Sequence, residues 1–218
     1  ATAEAGVWKL PEGDAFYVWA LSNATTTKLS ADEVHEIGLE QVAELSAEMD
    51  KVLRDQGLTH GTVSERVAVL GKDPHQLFAN TDAGRAELIA YLNGLVDGIR
   101  PKLPELFRTL NKANMEIKRV PTEIEAGAPL GMMVDGSVDG TRPAFYYINL
   151  KDTGLWPKFQ LPTLTYHEAL PGHVWQFTFS HKLPLIRNLM GFTAYIEGYA
   201  LYAEQLASEL GLYDNDPL

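Results

Sequence analysis

Residues 166–176 read Tyr-His-Glu-Ala-Leu-Pro-Gly-His-Val-Trp-Gln, and this segment decides how the rest of the chain is interpreted. It contains two histidines, His167 and His173, with Glu168 directly after the first. A later segment, residues 197–204, reads Glu-Gly-Tyr-Ala-Leu-Tyr-Ala-Glu. Two histidines and a distant carboxylate are typical ligands of hydrolytic zinc sites, in which three protein ligands leave one position for water.

The spacing of the two histidines differs from the familiar zinc helix. His167 and His173 are six positions apart, whereas His-Glu-x-x-His places its histidines four apart on one helix face. On a regular helix, six positions would turn the two side chains about 120° apart. Pro171 cannot donate a backbone hydrogen bond, and Gly172 relaxes the backbone limits. We therefore predict that the helix breaks at Pro171-Gly172 and that His173 returns beside His167, facing Glu197.

The predicted roles follow from this arrangement. His167, His173 and Glu197 are the expected metal ligands, and Zn²⁺ is the expected ion. Glu168 is the expected general base, which accepts a proton from the attacking water and passes it to the leaving amine. Glu204 shares a helix face with Glu197 and either orients a ligand or is an ion-paired residue. The remaining histidines are interpreted as structural.

The rest of the chain predicts a mainly α fold with a minor α+β component. A capping box at Ser30 and Glu33, followed by apolar residues every three to four positions, predicts a helix over residues 31–55. Further helices are expected at 62–70, from Asn80 or Thr81 to about 99, and at 192–210. Strands are expected at 116–120 and 144–150, with a glycine-rich loop at 125–143. We expect a small antiparallel sheet beside the site and three parts: residues 1–112 (helical), 113–160 (strands and loop) and 161–218 (motif helices).

Composition excludes some classes of function. The net charge of −11 argues against a nucleic-acid partner, which needs a basic face. The absence of cysteine removes thiolate ligands and a cysteine nucleophile. No apolar run approaches the roughly 20 residues that span a bilayer, and residues 1–6 lack the features of a signal peptide. The sequence leaves the oligomeric state open. For the location of the protein, the cytoplasm, the cell envelope and secretion all stay open.

The motif and the 197–204 segment resemble the bacterial DUF885 family. Residues 136–149, Gly-Ser-Val-Asp-Gly-Thr-Arg-Pro-Ala-Phe-Tyr-Tyr-Ile-Asn, are similar to the family's stretch before its histidine motif. Family members are longer at both ends, so the chain is expected to be a central, catalytic fragment of such a protein. The resemblance implies a helical, gluzincin-like metallopeptidase fold akin to M32 carboxypeptidases, with a peptide as substrate. It also implies that Arg142 grips a substrate carboxylate and that Tyr147 polarises the scissile carbonyl.

Two positions depart from the family's pattern. Val174 stands where a second histidine is frequent, which leaves His173 as the candidate ligand, and Tyr199 stands where tryptophan is frequent. The 144–150 strand could offer an edge to an extended peptide, and Arg142 beside it would suit a carboxypeptidase-like action. Two alternatives stay open. One is a degenerate fragment that keeps the motif and serves as a non-catalytic helical binding module, and the other is a metal-dependent esterase or amidase.

Overall fold

The structure is a computed structural model that describes residues 6–214. It is 57% helix and 7% strand, which confirms the predicted mainly α fold with a minor sheet. The outermost residues of the predicted first and third parts, 1–5 and 215–218, lie outside the described residues.

The N-terminal third consists of helices whose starts are fixed by local caps. After a short 3₁₀ turn at Val7–Lys9 come α1 (Gly13–Thr25), α2 (Ala31–Asp55) and α3 (Val63–Leu70). The Ser30 side chain accepts from the Glu33 backbone amide while Glu33 accepts from the Ser30 amide, and Thr62 with Glu65 repeats this pattern before α3. Each capping box satisfies amides that would otherwise lack partners at the helix start. The predicted helices at 31–55 and 62–70 are confirmed.

Helix α4 (Asp82–Ile99) is the central helix of the core. The Thr81 side chain accepts from the Gly84 amide and caps it. Leu88 and Leu92 are fully buried on one face of α4, together with Ile99 at its end. A 3₁₀ turn at Arg100–Lys102 and the short helix α5 (Leu103–Leu106) follow, where the two prolines of this segment interrupt the regular helix.

The small sheet differs from the predicted antiparallel pair. Its strands are β1 (Met115–Arg119), β2 (Gly131–Val134) and β3 (Ala144–Ile148), in the order β1-β3-β2. β1 pairs with β3 in parallel, and β2 pairs with β3 antiparallel, so the sheet is mixed. The two predicted strands do pair directly, but the expected antiparallel orientation was wrong, because the connection between β1 and β3 is long enough for a parallel crossover and contributes a strand of its own. That strand, β2, lies in the segment that was predicted to be loop.

This strand order also corrects the expected free edge. β3 is the central strand and is paired on both sides, so residues 144–148 have no edge left for a peptide. The edge next to the candidate site belongs to β2.

The C-terminal third contains the motif helices α6 (Leu161–Glu168), α7 (His173–Ser180), α8 (Ile186–Leu189) and α9 (Thr193–Glu209). Residues 169–172 separate α6 from α7, so the predicted helix break is confirmed. The helix predicted at 192–210 is confirmed as α9.

One hydrophobic core joins the three predicted parts of the chain. It includes Leu88 and Leu92 of α4, Tyr146 of β3, Trp175 of α7 and Ala207 of α9. By contrast, the apolar residues of α1 and α2 are largely exposed, including Trp19, Val42 and Leu45. Within residues 6–214, no helix combines the length and apolarity needed to cross a bilayer.

Candidate metal centre

The break between α6 and α7 gives the histidine motif its shape. α6 ends at Glu168, the Leu170–Pro171 peptide bond is cis, and α7 begins at His173. The chain at Gly172 turns so tightly that a Cβ there would lie 1.8 Å from the His167 carbonyl oxygen. Only glycine fits this approach, because even a methyl group would overlap the end of α6.

The break brings the two histidines and Glu197 together, as predicted. The rings of His167 and His173 have centroids 4.8 Å apart and meet edge to face. Glu197 Oε2 on α9 lies 3.7 Å from His167 Nε2 and 3.6 Å from His173 Nε2. One ligand atom from each of the three residues lies within 4.8 Å of the other two. The prediction that His173 returns beside His167 and faces Glu197 is therefore confirmed.

The spacing of these atoms fits a shared metal ion better than direct hydrogen bonds. Both nitrogen–oxygen distances, 3.6 and 3.7 Å, exceed the roughly 3.2 Å limit of a good N–H···O bond. They approach the roughly 3.3–3.4 Å between two ligands of a tetrahedral zinc with bonds of about 2.0–2.1 Å. Two imidazole nitrogens and one carboxylate oxygen are also a donor set that suits zinc.

Glu204 contacts the other nitrogen of His167. Its Oε1 lies 2.7 Å from His167 Nδ1, and this hydrogen bond raises the pKa of His167. A carboxylate at Nδ1 favours the tautomer with the proton on that nitrogen, so Nε2 keeps its lone pair toward His173 and Glu197. This contact fits both interpretations of Glu204, because it holds the His167 ring in one orientation and is an ion pair when that ring is protonated.

His173 is held as a neutral ring. It is buried, and burial together with the neighbouring His167 lowers its pKa. A neutral imidazole is the form that binds a metal, because the coordinating nitrogen must not carry a proton. Its Nδ1 is buried without a hydrogen-bond partner among the described residues. Gln176, one turn further along α7, also has an unpartnered buried oxygen.

Glu168 is a buried carboxyl group beside the cluster. Its side chain is 8% exposed, and burial raises its pKa, while a hydrogen bond from the Met133 backbone opposes the rise. Glu168 lines a cavity of about 310 Å³ together with His167, His173 and Glu197. A carboxylate with a raised pKa in such a cavity is suited to accept a proton and return it.

Strand β2 forms part of the wall of this cavity. Gly131, Met132 and Met133 all line it. Asn149 N donates to Leu130 O across the β2–β3 pair, and hydrogen-bonded pairs alternate along an antiparallel ladder. The backbone groups of Gly131 and Met133 therefore face away from β3, on the open edge. Nothing in the glycine-rich sequence of 125–143 indicated this strand, since it lacks alternation and β-branched residues before Val134.

Two residues with predicted roles lie elsewhere. Tyr147 is on β3, where its ring stacks beside Phe145 at 5.6 Å between centroids. Arg142 lines a different cavity, with Arg100, Lys112 and His181. Neither is among the described residues that line the cavity of the histidine cluster. Their roles in substrate binding stay predictions. His181 hydrogen-bonds Asp135 at 2.8 Å, in keeping with a structural interpretation.

The chain belongs to the DUF885 family, described as "Bacterial protein of unknown function", and the match covers residues 1–218. The resemblance to this family is thus confirmed, and the link to gluzincin peptidases stays a prediction. No curated protein matches the chain. Four chains of solved structures match. One of them, described as "the putative lipoprotein from Colwellia psychrerythraea", is 43% identical, with a TM-score of 0.96. The alignment covers 100% of this chain and 38% of that one, so this chain spans well under half of its length.

Proposed function

We propose that this member of the DUF885 family is a zinc-dependent peptidase, in which His167, His173 and Glu197 hold the ion and Glu168 is the general base. One observation carries the proposal. Three ligand atoms of zinc-binding type lie within 4.8 Å of one another, beside a buried glutamate in the same cavity. Structural zinc sites are closed by four protein ligands, whereas catalytic sites keep a position open, and this cluster offers three.

A zinc ion held by these residues would supply Lewis acidity, polarising a substrate carbonyl and making water a better nucleophile. The chain's own residues prepare the site for it. Glu204 fixes the His167 tautomer through the 2.7 Å contact at Nδ1. Burial keeps His173 neutral. Glu197 is half exposed, so the cluster faces an open cavity that a substrate can enter.

Glu168 moves the proton in this proposal. Its carboxyl lines the same cavity as the ligands but is not one of the three clustered ligands. Because burial raises its pKa, the carboxylate is basic enough to take a proton from the attacking water. The protonated acid can then give that proton to the leaving amine, so that hydrolysis consumes one water and leaves Glu168 unchanged.

The edge of β2 favours a peptide over a small ester as substrate. Gly131 and Met133 line the cavity, and their backbone groups are free of the β3 ladder. The Met133 backbone already donates to Glu168, so the backbone groups of Gly131 are the ones available for pairing. An extended peptide could pair with this edge, as peptides do with exposed sheet edges elsewhere. Such pairing would hold the scissile bond along the wall that faces His167 and His173.

Glu168→Gln is the direct test of the proposal. This change keeps the shape of the side chain and the three ligands but removes the base. We expect zinc content to stay at the wild-type level, while hydrolysis of a peptide library falls at least about 100-fold. The matched control is Glu48→Gln, at an exposed position of α2, which should change neither quantity.

Three outcomes would decide against the proposal. Activity that survives Glu168→Gln would remove Glu168 as the base. Zinc that fails to bind the wild-type chain would leave a non-catalytic helical module. Hydrolysis of esters or simple amides, with peptides untouched, would identify a different metal hydrolase.

A further inference from the structure

A second cavity adjoins the candidate metal centre between α7, α8 and α9. This cavity, called the α7–α9 pocket, has a volume of about 350 Å³, within the roughly 300–1,000 Å³ range of small-ligand pockets. Its apolar side chains come from all three helices and the turns between them: Phe177, Leu183, Ile186, Phe192 and Ile196. Ser180 of α7 also lines the pocket.

The pocket lies next to the cavity of the histidine cluster. Phe177 and Ile196 line both. Phe177 follows His173 by one turn of α7, a rise of about 6 Å, and Ile196 directly precedes Glu197. A substrate whose scissile bond lies at the metal ligands would therefore place a neighbouring side chain at the mouth of the pocket.

Arg187 adds a positive charge to this apolar wall. It lines the pocket, is exposed, and forms no ion pair with a carboxylate among the described residues. An unpaired guanidinium beside an apolar pocket complements a carboxylate attached to an apolar group, and its fork of donors suits two carboxylate oxygens. A C-terminal residue with a large apolar side chain has this combination.

Arg142 is less well placed to bind the carboxylate of such a residue. It lines the cavity that also contains Arg100, Lys112 and His181, and that cavity shares no lining residue with the one around the histidine cluster. Its guanidinium carbon lies 5.9 Å from the Phe145 ring. Arg187 lines a pocket that shares Phe177 and Ile196 with the cavity of the histidine cluster, so it is the better candidate.

We propose that the α7–α9 pocket binds the last residue of a peptide substrate, with its large apolar side chain against Phe177 and Ile196 and its carboxylate at Arg187. This inference rests on the proposed peptidase function and deepens it. It makes the enzyme a carboxypeptidase that prefers large apolar C-terminal residues such as leucine or phenylalanine.

Binding to the Glu168→Gln variant tests the pocket without depending on turnover. The probes are N-acetylated tetra-alanine and its analogues with leucine or phenylalanine at the C-terminus, each as free acid and as amide. We expect the leucine acid to bind about 60-fold more tightly than the alanine acid, because three more buried carbons each contribute about fourfold. The leucine acid should also bind about 10-fold more tightly than its amide, through the charge-assisted contact at Arg187.

Three further substitutions, each made in the Glu168→Gln variant, show which residues cause the preference for leucine and the preference for the acid. Arg187→Ala should abolish the preference for acid over amide and keep the preference for leucine over alanine. Ser180→Phe, which narrows the pocket, should abolish the leucine preference, with circular dichroism and zinc content showing that the fold and the site survive. Arg108→Ala, at an exposed arginine after α5, is the matched control and should change neither.

Several results would overturn the assignment. They are equal binding of the leucine and alanine acids, an acid preference that survives Arg187→Ala, and an acid preference lost in Arg142→Ala instead. Failure of the pocket and failure of the proposed function look different. Wild-type protein that cleaves peptides without C-terminal preference contradicts the pocket alone. Selective binding by the variant, with no cleavage by zinc-loaded wild type, contradicts the peptidase proposal alone.

Discussion

Helix α2 and the α6–α7 segment both carry apolar side chains at helical spacing, but only the α6–α7 segment buries them. Val42 and Leu45 on α2 are 63% and 57% exposed, whereas Leu170 and Val174 around the motif are 0% and 1% exposed. Leu53, near the end of α2 that packs against α3, is buried, but the rest of the apolar face of α2 is largely exposed among the described residues. The α6–α7 segment, by contrast, packs against α4, β2 and α9.

The two regions differ in the interactions that stabilise them. Local caps and helix propensity are sufficient to stabilise α2, so a substitution on its exposed surface disturbs few other contacts. The geometry of His167 and His173 depends on a break that the surrounding core holds in one conformation. A site that must place three ligand atoms within a few ångströms needs this kind of support. The predictions that follow compare matched changes in the two regions.

Gly172→Ala has the largest expected effect. A Cβ at this position would lie 1.8 Å from the His167 carbonyl oxygen, so the ends of α6 and α7 must separate. We expect a loss of about 4 kcal/mol or more in the free energy of unfolding. Zinc binding should be lost under conditions in which the variant is folded. Urea denaturation of the metal-free protein and zinc titration measure the two effects, and a stable variant with unchanged zinc affinity would contradict the described break.

Glu204→Ala should weaken zinc binding without unfolding the protein. The change removes the carboxylate 2.7 Å from His167 Nδ1 and frees the ring to rotate or change tautomer. Loss of such a supporting contact typically costs about 10- to 100-fold in metal affinity. Competition with a chelator of known affinity measures it. Glu48→Ala on α2 is the control, and equal affinities for the two variants would show that Glu204 does not orient the ligand.

The same truncation in the two regions should have different costs. Val174→Ala removes two buried methyl groups from α7, so we expect a loss of about 2 kcal/mol in the free energy of unfolding. Val42→Ala removes them from an exposed face of α2 and should change stability by no more than about 0.5 kcal/mol. Urea denaturation of both variants compares them. Similar losses would mean that the apolar face of α2 is covered in solution.

Gly38→Ala has a small expected effect, and it has the opposite sign to Gly172→Ala. Gly38 lies inside α2, and a Cβ there meets nothing within 4 Å. Alanine should therefore stabilise the protein by about 0.5–1 kcal/mol, because it restricts the unfolded chain and favours the helix. Thermal unfolding beside the wild type measures the shift. A destabilised variant would show that this face of α2 makes close contacts.

Features encoded by neighbouring residues were predictable from the sequence. The Ser30–Glu33 capping box predicted the residue at which α2 begins. Pro171 and Gly172 predicted the helix break, and the break in turn predicted that His173 would face Glu197. The break needed only the stereochemistry of a few adjacent positions, whereas Glu197 was predicted from the donor types that zinc sites use.

Features that depend on distant parts of the chain were not predictable in the same way. The parallel pairing of β1 with β3 joins segments separated by a strand with little sequence signal. The contact of Glu204 with His167 spans 37 positions and depends on how α9 packs on α6. Arg187 lines the α7–α9 pocket only because α8 folds against α7 and α9.

The most direct test of the account is the zinc stoichiometry of the chain, with X-ray absorption at the zinc edge to identify the ligands. We expect one zinc per chain, coordinated by two histidine nitrogens and oxygen, and loss of that zinc in His167→Ala, His173→Ala and Glu197→Ala. A wild-type chain that binds no zinc would contradict the account, and so would zinc binding that none of these three changes weakens.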